Sequence, residues 1–382
     1  MAKNILITGG AGFIGSHLCD ELIDHGYYVR VIDNLSPQVH PVNTSRSNSE
    51  GQRTEPPEYL NHKADFIYGD VRDPMILNQA LKGIDAVFHF AAAVGVGQSM
   101  YEIEKYTSIN NIGTAILLEL LTKKPIEKLI VASSMSIYGE GLYQSSQGKI
   151  FSGVQRSLEQ LKVGKWELFD KNGELLKPVP TNERKRPALS SVYALSKYDQ
   201  ERMSLMIGQA YNIPTVALRF FNVFGTRQAL SNPYTGVLAI FGSRYLNNKP
   251  PVIFEDGKQM RDFVSVYDIA QACRLALQVD KAKGHVFNVG SGHPVTILEI
   301  ADKMASVMDK SDIKPIIKGK YRVGDIRHCF ADISLARRIL GYEPKVSLEQ
   351  GLTEISEWLK GQMAEDMVDA ANSELDSRGL TI

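Results

Sequence analysis

The sequence predicts an α/β protein built on a doubly wound parallel sheet, with a smaller C-terminal α/β lobe. Short apolar runs alternate with amphipathic stretches, a glycine-rich turn follows the first run, and the composition changes after residue 220. Such alternation is typical of repeated β-α-β units with strands buried on both faces. The expected strands are 4–8, 28–33, 66–68, 86–90, 128–133 and 214–219, and the expected helices are 13–25, 74–82, 108–123 and 192–210.

Two segments interrupt this rhythm. Residues 36–62 are rich in Ser, Pro and Asn and predict an exposed excursion after the second strand. Residues 139–190 are much longer than an ordinary connection and predict an insert. We therefore expect a first domain over 1–220 that carries the insert.

A smaller lobe is expected over 221–362, with some exchange of chain between the lobes. We expect it to close over the carboxyl ends of the strands, where open α/β sheets bind ligands. The tail at 363–382 is polar and acidic and predicts frayed chain. The elements expected in the smaller lobe are helices near 236–246, 267–279, 296–308, 334–340 and 348–360 and a strand at 286–289.

Composition excludes several classes of protein. The 382 residues carry 43 basic and 43 acidic side chains, so no excess of basic charge favours a nucleic-acid partner. There is no apolar run of ~18 residues that would predict a membrane span. Cys19, Cys273 and Cys329 have neither disulfide nor metal-ligand spacing. The first residues enter a strand at once, which leaves no room for a signal peptide, and we expect a cytoplasmic protein.

The first expected strand runs directly into the sequence TGGAGFIG, which begins a helix. Gly9 permits the sharp turn, Gly12 lets the backbone approach a pyrophosphate, and Gly15 lets the helix pack on the sheet. Asp33 ends the second strand about 20 residues later, where a carboxylate accepts hydrogen bonds from ribose hydroxyls. The pattern predicts a Rossmann-type domain that binds a dinucleotide.

Asp33 also indicates which dinucleotide binds. A carboxylate there repels a 2′-phosphate, and Asn34, Leu35 and Ser36 provide no arginine to hold one. NAD is therefore favoured over NADP.

A second group of polar residues is typical of proton and hydride transfer. Tyr193 and Lys197 lie at i and i+4 of an expected helix and so share one face. Ser133, Ser134 and Ser136 lie at the carboxyl end of the strand expected beside the nicotinamide. The lysine charge lowers the pKa of the phenol, so that a tyrosinate can act as a base, and a serine can hydrogen-bond the reacting oxygen.

The ordered motifs resemble the extended short-chain dehydrogenase/reductase superfamily, in its nucleotide-sugar epimerase/dehydratase branch. The resemblance runs from residue 1 to about residue 360. The motifs are TGGAGFIG, GDVRD (69–73), FHFAA (88–92), NNIGT (110–114), ASSMSIYG (132–139), YALSK (193–197), RFFNVFG (219–225) and RDFVSVYDIA (261–270).

This resemblance implies roles for individual residues. Ser134, Tyr193 and Lys197 would be catalytic. The residues implied in NAD binding are Gly9, Gly12, Phe13, Ile14, Gly15, Asp33, Asn34, Asp70, Val71, Ala91, Ala92, Asn110, Ser133, Tyr193 and Lys197. The residues implied in binding the nucleotide-diphosphate sugar are Ser134, Ser136, Tyr193, Asn222, Arg261, Arg322 and Asp325.

The residues after the implied catalytic serine limit which reaction of this branch the chain can catalyse. Dehydratases of this branch carry an Asp-Glu pair where this chain has Met135 and Ser136, neither of which can transfer a proton as a carboxyl does. Reductases of the branch mostly use NADPH, which Asp33 disfavours. The resemblance therefore implies a 4-epimerase, which oxidises C4 transiently and returns the hydride to the opposite face.

The substrate is suggested by two longer segments. Residues 176–201 and 321–334 resemble those of dTDP-L-rhamnose 4-epimerases. UDP-glucose and UDP-glucuronate stay open as alternative substrates, as do another dehydratase or reductase and a non-catalytic NAD-binding regulator. The helices at 108–123 and 192–210 carry more apolar residues than the sheet needs, and the resemblance implies that they form a homodimer seam.

Overall fold

The computed structural model describes residues 3–40, 54–234, 236–362 and 366–381. The strands, in chain order, are β1 (Asn4–Thr8), β2 (Tyr28–Asp33), β3 (Asp65–Tyr68), β4 (Ala86–His89), β5 (Lys128–Ser134), β6 (Leu142–Gln144), β7 (Ile150–Phe151), β8 (Lys177–Val179), β9 (Thr215–Phe220), β10 (Asn222–Phe224), β11 (Val252–Ile253), β12 (Met260–Ser265), β13 (Val286–Val289), β14 (Pro294–Thr296), β15 (Ile316–Ile317) and β16 (His328–Cys329).

Seven strands form the central sheet in the order β3-β2-β1-β4-β5-β9-β13, and every neighbouring pair is parallel. The order reverses at β1, which lies between β2 and β4. The crevice outside the carboxyl ends at such a reversal is where open α/β sheets bind ligands. The predicted doubly wound parallel sheet is confirmed.

Strand β13 belongs to the central sheet, although the sequence analysis placed it in the smaller lobe. It pairs in parallel with β9, with Phe287 opposite Leu218, and both residues are fully buried. Burial of its apolar side chains against the helices of the sheet stabilises this position. The chain thus returns to the first lobe after residue 280.

The α-helices, in chain order, are α1 (Phe13–Asp24), α2 (Pro74–Ala80), α3 (Val96–Ser99), α4 (Ile103–Tyr106), α5 (Gly113–Lys123), α6 (Leu158–Lys162), α7 (Val192–Ala210), α8 (Val237–Leu246), α9 (Val266–Gln278), α10 (Ile297–Val307), α11 (Ser334–Leu340), α12 (Leu348–Leu359) and α13 (Val368–Ser377). A π-helical turn at Thr107–Ile112 joins α4 to α5. None of the helices in the described ranges combines the length and apolarity needed to span a bilayer.

The core consists of separate apolar clusters on the two faces of the sheet and in the smaller lobe. Alternate residues of one strand contribute to opposite faces, as the two-residue period of a strand requires. Representative residues are Ile7, Phe88 and Ile130 on one face, Leu6, Val87 and Leu129 on the other, and Phe241, Ile300 and Leu352 in the smaller lobe.

The insert at 139–190 has a sheet and a small core of its own. Strands β7, β6 and β8 form an antiparallel sheet, and α6 lies between β7 and β8 in the chain. Tyr143, Leu168 and Leu176 form a small core of their own. A core of this size gives little stability by itself, so the insert depends on its contacts with the rest of the chain.

The C-terminal segment is helical rather than frayed, which corrects the expectation from its polar composition. Helix α13 buries Val368, Ala371 and Leu375. The Leu375 side chain lies against Gly97, and the Arg378 guanidinium lies 4.3 Å from the ring centroid of Tyr101. Three apolar residues on one face are enough to dock a polar helix on an existing surface.

Candidate functional site

A cavity of about 420 Å³ opens at the carboxyl ends of the central strands. Its wall includes the turn after β1, the end of β2, the segment after β4, the end of β5 and the first turn of α7. Residues of the smaller lobe close the opposite side. The smaller-lobe residues that line it include Asn222, Phe224, Gln228, Asn232, Val237 and Phe263.

The glycine turn between β1 and α1 is sterically required. Gly9 has a φ of +68°, and a Cβ there would lie 2.8 Å from the backbone of Ala91. A Cβ on Gly15 would collide with the carbonyl oxygen of Gly9. Because Gly12 is the N-cap of α1, the free N–H groups of the first turn face the cavity, where they can bind a phosphate.

Asp33 lies at the end of β2 with its carboxylate at the cavity wall. Its two oxygens accept hydrogen bonds from the N–H groups of Ala11 (3.0 Å) and Leu35 (2.9 Å). Burial raises the pKa of Asp33, and His40, whose Nε2 lies 3.7 Å from the carboxylate, opposes that rise. These contacts fix the carboxylate where it can accept hydrogen bonds from ribose hydroxyls.

The segment after Asp33 contributes to the cavity, which the sequence analysis missed. Residues 36–40 were expected in an exposed excursion, yet His40 is buried. Gln38 Nε2 donates to Gln98 Oε1 (2.8 Å) and to Asn232 Oδ1 (3.3 Å), so this segment connects the two lobes over the cavity. No sequence signal marks these contacts, because they join residues far apart in the chain. Residues 41–53 of the same excursion lie outside the described residues.

Asp70 and Val71 lie beside Asn34, where the resemblance places the adenine. Asn34 Nδ2 donates to Asp70 (2.9 Å), and the Arg72 guanidinium also donates to Asp70. Burial raises the pKa of Asp70, but these hydrogen bonds outweigh burial, and the net pKa is lowered. Asp70 is therefore an ionised acceptor that already has partners on one side.

Tyr193, Lys197 and Ser134 meet at the bottom of the cavity. Ser191 caps the N-terminus of α7 and so places Tyr193 in its first turn. Burial raises the pKa of Tyr193, and a hydrogen bond from the Ser134 hydroxyl opposes this. Burial lowers the pKa of Lys197 to about 7, against the raising effect of the Glu201 carboxylate. The structure thus brings together the three predicted catalytic residues.

A buried hydrogen-bond chain holds the lysine. Lys197 Nζ donates to Gln200 Oε1 (2.7 Å), and Gln200 Nε2 donates to the Thr114 hydroxyl (2.8 Å). Thr114 also contacts His89, which pairs with Thr8 at the end of β1. Because burial lowers the pKa of His89 to about 3, that imidazole is neutral. Gln200 had no sequence signal beyond its place one turn after Lys197.

The serines at the end of β5 have different partners. Ser134 Oγ accepts hydrogen bonds from the hydroxyl (2.8 Å) and the N–H (3.2 Å) of Ser136, so its own proton is available to donate. Ser133 Oγ donates to Glu201 (2.6 Å), which also pairs with Arg219 (2.7 Å). Ser133 therefore anchors the strand to α7, whereas the Ser134 hydroxyl is directed at Tyr193.

Asn110 braces the wall beneath the lysine. Its amide accepts from Ala93 N (2.7 Å) and donates to the Ser196 hydroxyl (2.9 Å), which joins the π-helical turn to the segment after β4 and to α7. Ala91 and Ala92 lie in that same segment and line the cavity. Small side chains at these two positions leave room for a flat ring.

The predicted sugar-nucleotide residues divide into two groups. Asn222 lines the cavity, and its buried Oδ1 has no hydrogen-bond partner among the described residues, which favours a ligand donor there. Arg261 donates to the carbonyl oxygens of Arg327 (2.9 Å) and Ile326 (2.5 Å) beyond the cavity lining.

Arg322 pairs with Asp325 (2.8 Å) close to these carbonyl oxygens. Their proposed contact with a diphosphate stays a prediction.

The cavity fits NAD. The glycine turn and the helix N-terminus suit a pyrophosphate, Asp33 suits a ribose, and Lys197 with Tyr193 faces the far end. Metal chemistry is a separate matter: in the described ranges, no group of three or more His, Cys, Asp or Glu is placed to hold a metal ion.

Replacing Asp33 by Arg should weaken NAD binding by at least ~10-fold, because the ribose hydroxyls lose a fixed acceptor and the added side chain crowds the turn. Calorimetry with NAD measures this. Asp65→Asn, an exposed carboxylate on the neighbouring strand, serves as the control and should bind NAD as wild type does. Unchanged NAD affinity in Asp33→Arg would contradict the assignment.

Comparisons with known proteins agree with this geometry. A family model described as the NAD dependent epimerase/dehydratase family matches residues 5–153 and 167–290. The dTDP-L-rhamnose 4-epimerase of Burkholderia thailandensis is 34% identical over 365 residues, which are 94% of this chain and 96% of that protein.

Two solved structures are similar over nearly the whole chain. The UDP-glucose 4-epimerase of Thermotoga maritima, solved with UDP-glucose, is 32% identical with a TM-score of 0.73 and covers 94% of this chain and 98% of its own. The UDP-glucuronic acid 4-epimerase of Bacillus cereus, solved with UDP-glucuronic acid and NAD, is 30% identical with a TM-score of 0.74 and covers 94% of this chain and 99% of its own. Because the match extends through the sheet and into the smaller lobe, this chain belongs to the NAD-dependent epimerase/dehydratase family, and its cofactor is NAD.

Proposed function

We propose that this protein is a nucleotide-sugar 4-epimerase that interconverts dTDP-L-rhamnose and dTDP-6-deoxy-L-talose. The observation that carries the proposal is the group of Ser134, Tyr193 and Lys197 at one end of a cavity that fits NAD. These residues can move one proton and support one hydride transfer at a single carbon. A 4-epimerase needs nothing more.

In this mechanism, the Tyr193 phenolate removes the proton of the sugar C4 hydroxyl. NAD, when bound, supplies the acceptor for the C4 hydride and the means of returning it. Ser134 donates a hydrogen bond to the C4 oxygen, since its own acceptor positions are occupied by Ser136. The same tyrosine gives the proton back when the hydride returns to the opposite face, so no net proton is consumed.

Lys197 stabilises the phenolate electrostatically. Because burial lowers the lysine pKa to about 7, the ammonium loses its proton near neutral pH unless a negative charge lies close to it. The phenolate of Tyr193 is such a charge. The two groups therefore titrate as a pair, in which each favours the ionised form of the other.

The surroundings of Ser134 argue against dehydration. Met135 and Ser136 stand where an elimination would need a second acid/base carboxyl, and the Ser136 hydroxyl is already directed at Ser134. An α,β-elimination needs a group that removes a carbon-bound proton while another protonates the leaving hydroxyl. The residues beside the catalytic serine do not supply that pair.

The choice of dTDP-L-rhamnose rests on two supports. The first is that the similar Burkholderia protein is named a dTDP-L-rhamnose 4-epimerase. The second is that the cavity wall from Ala91 to Val94 presents small apolar side chains, which suit a 6-deoxy sugar. A glucuronate would need a cation at its carboxylate. Lys105, a cation in the cavity lining, is already held by Glu102 (2.7 Å) and Gln38 (3.0 Å).

The proposal also includes a homodimer with α5 and α7 at its seam. These helices pack on each other, and about half of each of three side chains is exposed: Leu195 and Met206 on α7, and Ile112 directly before α5. A second copy that covers these side chains would gain the free energy of burying them. A cytoplasmic location and the lack of a nucleic-acid partner stay predictions.

Proton NMR in heavy water tests the reaction, with purified enzyme, dTDP-L-rhamnose and no added cofactor. We expect a second sugar that keeps its C4 proton, because the hydride returns without exchanging with solvent. Deuterium at C3 or C5 would instead indicate enolisation and contradict 4-epimerisation. UDP-glucose and UDP-glucuronate under the same conditions test the alternative substrates, and no turnover of any sugar by an NAD-loaded protein would favour a regulator.

Replacing Lys197 by Met should move the acidic limb of kcat/KM to higher pH, because the Tyr193 pKa rises when the neighbouring ammonium is removed. The rate at pH 7 should fall by at least ~100-fold. Arg202→Met, which removes an exposed cation from the same helix, is the control and should leave the profile unchanged. Tyr193→Phe should abolish turnover, and full activity of that variant would refute the mechanism.

Light scattering at micromolar concentration tests the seam. Wild type should have twice the mass of one chain, and Met206→Arg should have the mass of one, because a buried unpaired charge opposes association. Met75→Arg changes an exposed methionine on α2 and should stay dimeric. A monomeric wild type would exclude the dimer.

A further inference from the structure

The insert at 139–190 is tied to one loop of the smaller lobe by buried charged groups. That loop, residues 321–328, carries Arg322 and Asp325, the residues expected to hold the nucleotide diphosphate. The insert contributes no residue to the cavity lining, and all of residues 139–190 are described. Its contacts with the 321–328 loop indicate a different role.

The first contact comes from Glu140, at the start of the insert. Its carboxylate accepts hydrogen bonds from the N–H of Arg327 (2.8 and 2.9 Å) and of His328 (3.2 Å). The N–H of Gly141 donates to the His328 carbonyl oxygen (2.8 Å). The end of the loop is therefore held through its backbone groups. These hydrogen bonds do not depend on which side chains the loop carries.

The second contact comes from Arg156 and Glu167 in the middle of the insert. The Arg156 side chain is 2% exposed, and its guanidinium lies 5.2 Å from the ring centroid of Tyr321 and 3.4 Å from the Asp325 carbonyl oxygen. Glu167 pairs with Arg327 (2.5 Å) and with His328 (3.2 Å). The insert thus contacts both ends of the loop.

Glu255 joins these groups at one point. Its carboxylate, 1% exposed, pairs with Arg156 (2.7 Å) from the insert and with Arg327 (2.8 Å) from the loop. Its N–H donates to the Lys320 carbonyl oxygen (2.8 Å), directly before the loop. The Glu255 backbone has a φ of +53°, a region unfavourable for a residue with a side chain. Such a conformation persists only where the surroundings fix it, and here the two arginines do so.

The position of Arg322 depends on this network. Arg322 pairs with Asp325 (2.8 Å), and its guanidinium lies 5.3 Å from the ring centroid of Phe254, the residue before Glu255. Arg261 donates to the carbonyl oxygens of Ile326 and Arg327 in the same loop. Both arginines are therefore oriented by the backbone of a loop that the insert holds in place.

We propose that the insert is a brace for the 321–328 loop, and that Arg156 and Glu255 are positioning residues for a nucleoside diphosphate bound by Arg261 and Arg322. The inference rests on the proposed binding of a nucleotide sugar. A diphosphate needs donors in a fixed geometry, and a displacement of the loop by about 1 Å is enough to lose most of its binding.

Glu255→Gly is the informative variant, because glycine accepts a positive φ and the backbone needs no adjustment. Arg327 retains Glu167 and Asp256 as partners, and Arg156 retains Glu140. Arg156→Met removes the charge from the insert, and Arg156→Lys keeps it. Glu159→Gln changes an exposed carboxylate of the insert and serves as the control.

Calorimetry with dTDP and UDP measures the affinity for a nucleoside diphosphate. The nucleotide that binds wild type more tightly is then used for all variants. We expect Kd to rise about tenfold in Glu255→Gly and Arg156→Met, with partial recovery in Arg156→Lys. KM for the sugar nucleotide should rise in parallel, while kcat stays within about twofold and the bound NAD is retained. The control should match wild type throughout.

The outcomes separate this inference from the proposed function. Wild-type Kd in folded Glu255→Gly and Arg156→Met would overturn the brace. Loss of NAD together with diphosphate affinity would mean that the network only supports the fold, and would also overturn it. A wild type that binds neither diphosphate would overturn both proposals, whereas one that binds a diphosphate but does not turn over dTDP-L-rhamnose would overturn only the substrate.

Discussion

The parallel direction of all seven central strands is the constraint on which the rest of the structure depends. Parallel strands bring their carboxyl ends to one edge, and the reversal of order at β1 opens a crevice there. The glycine turn, Asp33 and the end of β5 are far apart in the chain but meet at this edge. The proposed positions of the NAD site and of the catalytic serine both follow from this one arrangement.

Burial determines the chemistry at that edge. Lys197 is buried and Tyr193 is partly buried, and burial raises the pKa of the phenol but lowers the pKa of the ammonium to about 7, so burial favours the neutral form of each group. Two groups that each disfavour charge alone can be charged together, because their attraction is strong where water is scarce. The nearby Glu201, which pairs with Arg219, opposes the effect of burial on the Lys197 pKa.

The smaller lobe has an apolar core of its own, but charged groups join the insert to its 321–328 loop. Arg327 is fully buried among Glu167, Glu255 and Asp256. Burying charges costs desolvation, which such pairs offset only when their geometry is good, so their main effect is on the position of the chain. In the proposed brace, the ion pairs therefore orient the 321–328 loop more than they stabilise the folded protein.

The sequence by itself determined the parallel sheet, the glycine turn, Asp33 and the Tyr193–Lys197 pair, because each depends on short-range periodicity and spacing. Ser134 was added to that pair by the resemblance of its motif to a known family. It did not determine the place of β13, the docking of α13, or the roles of Gln38, Gln200 and Glu255. Those depend on partners distant in the chain: β9 for β13, Gly97 for Leu375, and Arg156 and Arg327 for Glu255. Only the tertiary structure decides which distant side chains meet, since burial and pairing are properties of the whole packed chain.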